Sequence, residues 1–223
     1  MLRIPALILL LAAIIAPASA GELDDFVAAQ MESSALPGVA WAVVDGDEVS
    51  TGARGTADGA QDVTPETPFL LGSISKSFTA LAIMQLAEAG KVDLDAPVSR
   101  YLAEFEGKPA GAITLRQLLT MSSGIDHVED GEPVTAGDTV RMLFQDGARD
   151  MAAYAEAKPL ARAPGESFAY STGSTMILSD LMTRMLTNSE APDVRRRAMQ
   201  TFIDGRLKAP GNLPSLTPEY DAH

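Results

Sequence analysis

The chain has 223 residues, 46% of them hydrophobic and 21% charged, with no cysteine, two histidines and a formal net charge of −13. The absence of cysteine excludes disulfides, thiol nucleophiles and a lipid-modified N-terminal cysteine, so the fold holds by its core alone. So acidic a chain repels nucleic acid and anionic lipid, and no basic stripe with interleaved aromatics offsets that charge.

Residues 1–20 read as a secretory signal, with Arg3 as the positive region, an apolar run from Ile4 to Ile15, and Ala18-Ser19-Ala20 as a small-residue cleavage site. Pro5 and Pro17 bracket an apolar stretch shorter than the ~20 residues a bilayer span needs. Cleavage before Gly21 is therefore expected, giving a periplasmic or secreted product with no stable membrane anchor and a domain over 21–223. Leu23, Phe26, Val27 and Met31 lie at helical spacing within Glu22 to Ser34. Val39 to Val44, the turn Asp45-Gly46-Asp47 and Glu48 to Gly55 predict a β-hairpin. From Ser75 to Ala89 the apolar residues leave few polar breaks, which predicts a helix buried on most sides and ended by Gly90. Short helices are expected within 93–102, 114–121, 136–144 and 151–157, with an apolar helix over Thr172 to Leu186 and a polar one over Pro192 to Ile203. Beyond Lys208 the Pro/Gly-rich tail shows no periodicity. A two-stranded hairpin is marginal by itself. The two strands are thus expected to belong to a larger sheet whose partners this chain lacks, leaving exposed edges open to self-association.

Ser73-Ile74-Ser75-Lys76 opens the helix at Ser75. A serine and a lysine three residues apart share one face of a first helical turn, so the amine reaches the hydroxyl. A serine hydroxyl needs such a base to become a nucleophile. The only histidines are His127 and His223, and no Gly-x-Ser-x-Gly elbow is present. Apolar surroundings and the positive end of the helix dipole favour the neutral amine of Lys76, and the Ser73 backbone N–H is placed to donate to a developing oxyanion. The same residues could instead cap and solvate the helix, with Ser73 and Ser75 as caps. Tyr170 follows the loop Ala163-Pro-Gly-Glu-Ser167 and precedes an apolar helix. A phenol beside an ammonium has a lowered pKa and shuttles protons between nucleophile and leaving group. Asp126, His127, Glu129 and Asp130 share one loop, and one histidine among carboxylates at this spacing solvates a turn more readily than it binds zinc. No metal or cofactor is expected, and the methionines from Met121 to Met185 read as core filler.

Four blocks in this order, Phe69 to Ala80, Leu86 to Leu102, Leu118 to Gly124 and Pro164 to Thr172, resemble the serine β-lactamase and penicillin-binding-protein-like superfamily. The resemblance is closest to the esterase and amidase branch of the class C-like serine hydrolases and runs from Phe26 to the last residue. It implies an α+β fold, β-lactamase/D,D-peptidase-like, in which a helical lobe meets an antiparallel sheet, with the C-terminal sheet strands missing. It further implies that Ser73 is acylated, that Lys76 activates it, and that Tyr170 is the tyrosine of the Tyr-x-Asn block. Thr172 stands where the family usually has asparagine; it keeps a hydrogen-bonding group for substrate binding but loses the planar amide. That argues against efficient β-lactam hydrolysis and fits the esterases and amidases. No Lys-Thr-Gly or His-x-Gly block follows Tyr170. A second oxyanion donor is thus expected to be lacking, and one such donor is worth ~10²–10³ in rate. The reading is an exported serine hydrolase that cleaves a small-molecule ester, amide or β-lactam-like substrate through an acyl-enzyme. Its alternative is a catalytically inactive truncated remnant, or a periplasmic protein that only binds ligand.

Overall fold

The computed structural model describes residues 20–222, which divide into two compact units after Phe69. The expected secretory signal lies outside the described residues, apart from Ala20. In the first unit, helix α1 (Ala20–Ser34) precedes strands β1 (Gly38–Asp45) and β2 (Glu48–Gly55). The strands pair antiparallel with Asp45 opposite Glu48, so the hairpin closes through the two residues between them, as the turn chemistry predicts. Val43, Val44 and Val49 stand exposed at its closed end. This is the one sheet among the described residues.

The second unit is helical: α2 (Ser75–Glu88), α3 (Leu115–Leu119), α4 (Asp138–Phe144), α5 (Met151–Glu156), α6 (Thr172–Leu186) and α7 (Pro192–Ile203). Helix α6 is its axis, because α2, α3, α5 and α7 all pack on it. Ile177, Leu178, Leu181 and Met182 of α6 share a core with Ile83 and Leu86 of α2, Leu115 and Leu118 of α3, and Met199 of α7. Full burial of each such side chain contributes about 1.5–3 kcal/mol. Helix starts are set locally. Thr114 and Gln117 form a reciprocal capping box on α3, and the Ser171 hydroxyl accepts from the Ser174 N–H to cap α6. No described helix is long and apolar enough to cross a membrane.

Two expectations are corrected. Helix α2 buries only Ala82, Ile83 and Leu86, while Leu81 and Met84 are 49% and 48% exposed. Its neighbours cover a single stripe, and an apolar run cannot reveal how many neighbours a helix has. Beyond Lys208 the tail does not become irregular at once: the wide helical turn Asp204–Lys208 that follows α7 runs into a last turn, Ala209–Gly211. Pro210 sits at the start of that last turn, where its missing N–H costs little, and Leu207 anchors the segment in the core. Farther on, Tyr220 Oη donates to Gln200 Oε1 at 3.1 Å and the Met151 N–H donates to Asp221 at 2.9 Å.

Polar groups are also built into this unit. Asp180 of α6 accepts from Arg184 Nε at 2.7 Å and from Arg195 of α7, while Arg184 reaches Glu104 at 2.8 Å and Arg195 reaches Glu190 at 3.2 Å. Glu156, at the end of α5, is 7% exposed, and its Oε1 has no hydrogen-bond partner among the described residues. Burial first, then the charges of Asp180 and Glu104, push its pKa up to about 8 against the pull of Arg184. The folded protein therefore holds a proton that the unfolded chain releases above about pH 4.5, and stability falls as pH rises from there to about 8. Glu156→Gln is expected to raise stability at pH 7 by on the order of 3 kcal/mol, and to change it little at pH 4.5. Urea unfolding at the two pH values checks this; equal pH dependence in variant and wild type contradicts it.

Candidate active site

Ser73 lies in a single helical turn, Gly72–Ile74, that runs directly into α2, and Lys76 is the second residue of α2. The side chains meet as the spacing requires: Lys76 Nζ donates to Ser73 Oγ at 3.1 Å. Ser73 is exposed and Lys76 half-buried, so the hydroxyl faces solvent while the amine stem packs.

Tyr170 arrives from far along the chain by a ladder of backbone bonds. The Ala161 N–H donates to Gly124 O at 2.9 Å, Gly165 to Ser122 O at 2.8 Å and Ala169 to Met121 O at 2.7 Å. Gly124 has φ +75°, and a Cβ there would lie 2.4 Å from the Arg162 carbonyl oxygen, so only glycine allows the two segments to approach this closely. The Ser-Ser-Gly block is thus a splint for the loop that ends in Tyr170. Lys76 Nζ lies 4.9 Å from the centroid of the Tyr170 ring. Partial burial raises the phenol pKa, but hydrogen bonds with Lys76 and Ser73 and the Lys76 charge outweigh it, and the net position is below the ordinary tyrosine value. The negative charge of Glu129 acts the other way. Ser73, Lys76 and Tyr170 therefore form one cluster.

Thr172, the first residue of α6, is buried. Its N–H donates to Glu129 Oε2 at 2.8 Å and its hydroxyl donates to Glu129 Oε1. The His127 side chain is wholly buried, with Nε2 3.0 Å from Thr139 Oγ1 and 3.4 Å from Glu129 Oε2. A Cβ at Gly173 would come 2.8 Å from His127 Nδ1, so the glycine leaves room for the ring against the start of α6. Burial alone would raise the Glu129 pKa, but hydrogen bonds with His127, Thr172 and Thr139 bring it down to about 2. The loop carrying these groups is fixed by Asp138, which accepts from the Val128 N–H at 2.8 Å, from Tyr154 Oη at 2.6 Å and from Lys158. Burial opposes ionisation of Asp138, yet these donors hold its pKa at about 2.

The 126–130 loop is therefore not the solvated turn expected from its composition. His127 and Glu129 point inward together, and the one sequence signal for that is their i, i+2 spacing, which puts two side chains on one side of extended backbone. Asp126 and Asp130 remain exposed. Among the described residues, no group of three or more His, Asp or Glu is arranged to hold a metal ion.

A hydroxyl, an amine and a phenol are thus gathered at the start of α2. The β-lactamase family model matches residues 23–197, and the chain belongs to that family of serine hydrolases. Among characterised relatives, the bovine (Bos taurus) serine beta-lactamase-like protein LACTB, mitochondrial, is 46% identical over 101 residues, covering 42% of this chain and 18% of its own. The octameric penicillin-binding protein homologue from Pyrococcus abyssi superposes with a TM-score of 0.70 at 26% identity, over 88% of this chain and 44% of that one. A class C β-lactamase from Rhodobacter sphaeroides gives 0.60 at 29% identity, over 82% and 47%. The chain spans less than half the length of each of these proteins. The α+β, β-lactamase-like fold class inferred from the four sequence blocks agrees with these matches.

Proposed function

We propose that this protein is an exported serine hydrolase that cleaves a small-molecule ester or amide through an acyl-enzyme on Ser73. The observation that carries the reading is the 3.1 Å contact from Lys76 Nζ to Ser73 Oγ with the Tyr170 ring alongside. Ser73 Oγ attacks the acyl carbon while its proton passes to the phenolate form of Tyr170, which Lys76 stabilises. The Ser73–acyl bond forms, the carbonyl π pair moves to oxygen, and its return expels the alcohol or amine, which takes the proton back through Tyr170. Water, activated by the same phenol, then releases the acid and restores Ser73. The Ser73 N–H, at the start of the α2 segment, is the oxyanion donor this chain supplies. Export follows from the signal-like residues 1–20. The substitution of threonine at position 172 favours esters and simple amides over β-lactams.

The test is intact-mass spectrometry of the mature protein after exposure to a fluorophosphonate probe. One adduct is expected in native wild type, and none in Ser73→Ala or in heat-denatured wild type. A wild-type sample that is folded by circular dichroism yet takes no label overturns the enzyme reading in favour of a protein that binds ligand without turnover.

A further inference from the structure

The chain between the Tyr170 loop and α6 is held at three consecutive points. The Ala169 N–H donates to Met121 O at 2.7 Å, the Ser171 hydroxyl accepts from the Ser174 N–H at 3.0 Å, and Thr172 gives both its N–H and its hydroxyl to Glu129. The last is a two-point clamp, because each carboxylate oxygen takes one of the two Thr172 donors. Glu129 is itself braced from behind by His127, whose ring is wholly buried, and by Thr139. Its own loop is pinned in both directions, since Val128 N–H donates to Asp138 and the Asp138 N–H donates back to Val128 O at 2.7 Å. A carboxylate so thoroughly fixed holds Thr172, two residues after the phenol, at a constant place. On the other side of Tyr170, Lys76 Nζ lies 4.9 Å from the ring centroid, and the charge of Glu129 opposes the pull of Lys76 and Ser73 on the phenol.

Building on the reading of Tyr170 as the proton carrier, we propose that Glu129, clamped to Thr172 and backed by His127, is a positioning residue that holds the chain two residues after Tyr170 and so fixes the phenol beside Lys76 and Ser73. In this arrangement Thr172 acts through the carboxylate: its buried hydroxyl is committed to Glu129.

Two variants weight the charge and the clamp differently: Glu129→Gln removes the charge and leaves one acceptor for the two Thr172 donors, whereas Thr172→Val loosens the clamp and keeps the charge. Glu129→Gln keeps size and one carbonyl acceptor but removes the charge, which stabilises the Tyr170 phenolate. The expected result is a downward move of the Tyr170 titration by roughly half to one pH unit, read from tyrosinate absorbance after subtracting the matched Tyr170→Phe background from the four-tyrosine total. The acidic limb of the Ser73 labelling rate should move down with it. Thr172→Val, which frees the carboxylate to turn toward solvent, should move the titration the same way and slow labelling several-fold. Thr172→Ser, with both donors intact, should restore wild-type behaviour. If Glu129→Gln does not fold, the valine and serine variants carry the test. A Tyr170 titration unchanged across these variants overturns the proposal. The titration needs no turnover, so a shifted Tyr170 in a protein that takes no label at Ser73 supports the positioning role while defeating the hydrolase reading.

Discussion

Lys76→Met slows acylation of Ser73 by about 10³-fold, the middle of the range for loss of a general acid–base group. Two losses combine. The hydroxyl loses the donor that holds it at 3.1 Å, and the phenol of Tyr170 loses the cation that offsets its burial. Without that charge the phenolate is less stable, so the Tyr170 titration moves upward and fewer molecules carry the base at neutral pH. The direction is opposite to that expected for Glu129→Gln, and the two variants together bracket the wild type. A thousandfold change corresponds to about 4 kcal/mol of transition-state stabilisation, within reach of one well-placed group. The measurement is the second-order rate of fluorophosphonate labelling against pH. A fall of less than tenfold, with the titration of Tyr170 unmoved, would show that the lysine is a structural neighbour and that the serine draws its reactivity from elsewhere.

Arg195→Met lowers the stability of the fold by about 3–5 kcal/mol, as expected when one partner of a buried pair is removed and the other stays charged. Asp180 and Arg195 have side chains only 4% and 6% exposed. The remaining partner of Asp180, Arg184, is shared with Glu104, and Glu156 stands close enough to feel the unbalanced charge. Two positions along the same helix, Arg197 pairs with Asp193 at 2.6 Å, but with side chains 67% and 60% exposed. Arg197→Met should leave stability almost unchanged, because water already solvates both ions. Urea unfolding at pH 7 decides: similar losses in the two variants would mean that the Asp180 contact contributes no more than a surface pair.

The sequence shows most of the helical framework, because its determinants are local. Helices α6 and α7 have the boundaries that apolar period and flanking residues predict, Thr172–Leu186 and Pro192–Ile203, and the hairpin follows from β-branched runs about a Gly-Asp turn. The Ser73 and Lys76 contact was legible for the same reason, being contained in one helical turn. Tyr170 was placed beside them only by resemblance, since no local rule connects residues brought together by a backbone ladder. Glu129 reads from the sequence as part of a solvated turn because its partner Thr172 lies in another block, and because loop carboxylates ordinarily face water. Arg195 sits in an arginine run that reads as a solvated face, and only the geometry of α6 against α7 singles out which of the three is buried. The exposed side of α2 was hidden by a different limit. Hydrophobicity records that a residue can be covered, while coverage itself depends on what else is present.

The rungs from Ala161, Gly165 and Ala169 to Gly124, Ser122 and Met121 act as a ruler. They fix how much chain lies between the strut and the phenol, so the length of the stretch from Ala161 to Tyr170 is part of the chemistry even where its side chains are exposed. Most residue identities within that stretch are free to drift as long as the count is kept and Gly165, at φ +85°, stays a glycine. Gain or loss of one residue would rotate the phenol out of the cluster while leaving every residue of the cluster unchanged. In descendants of this gene, insertions here would mark the abandonment of the reaction sooner than any substitution at Ser73.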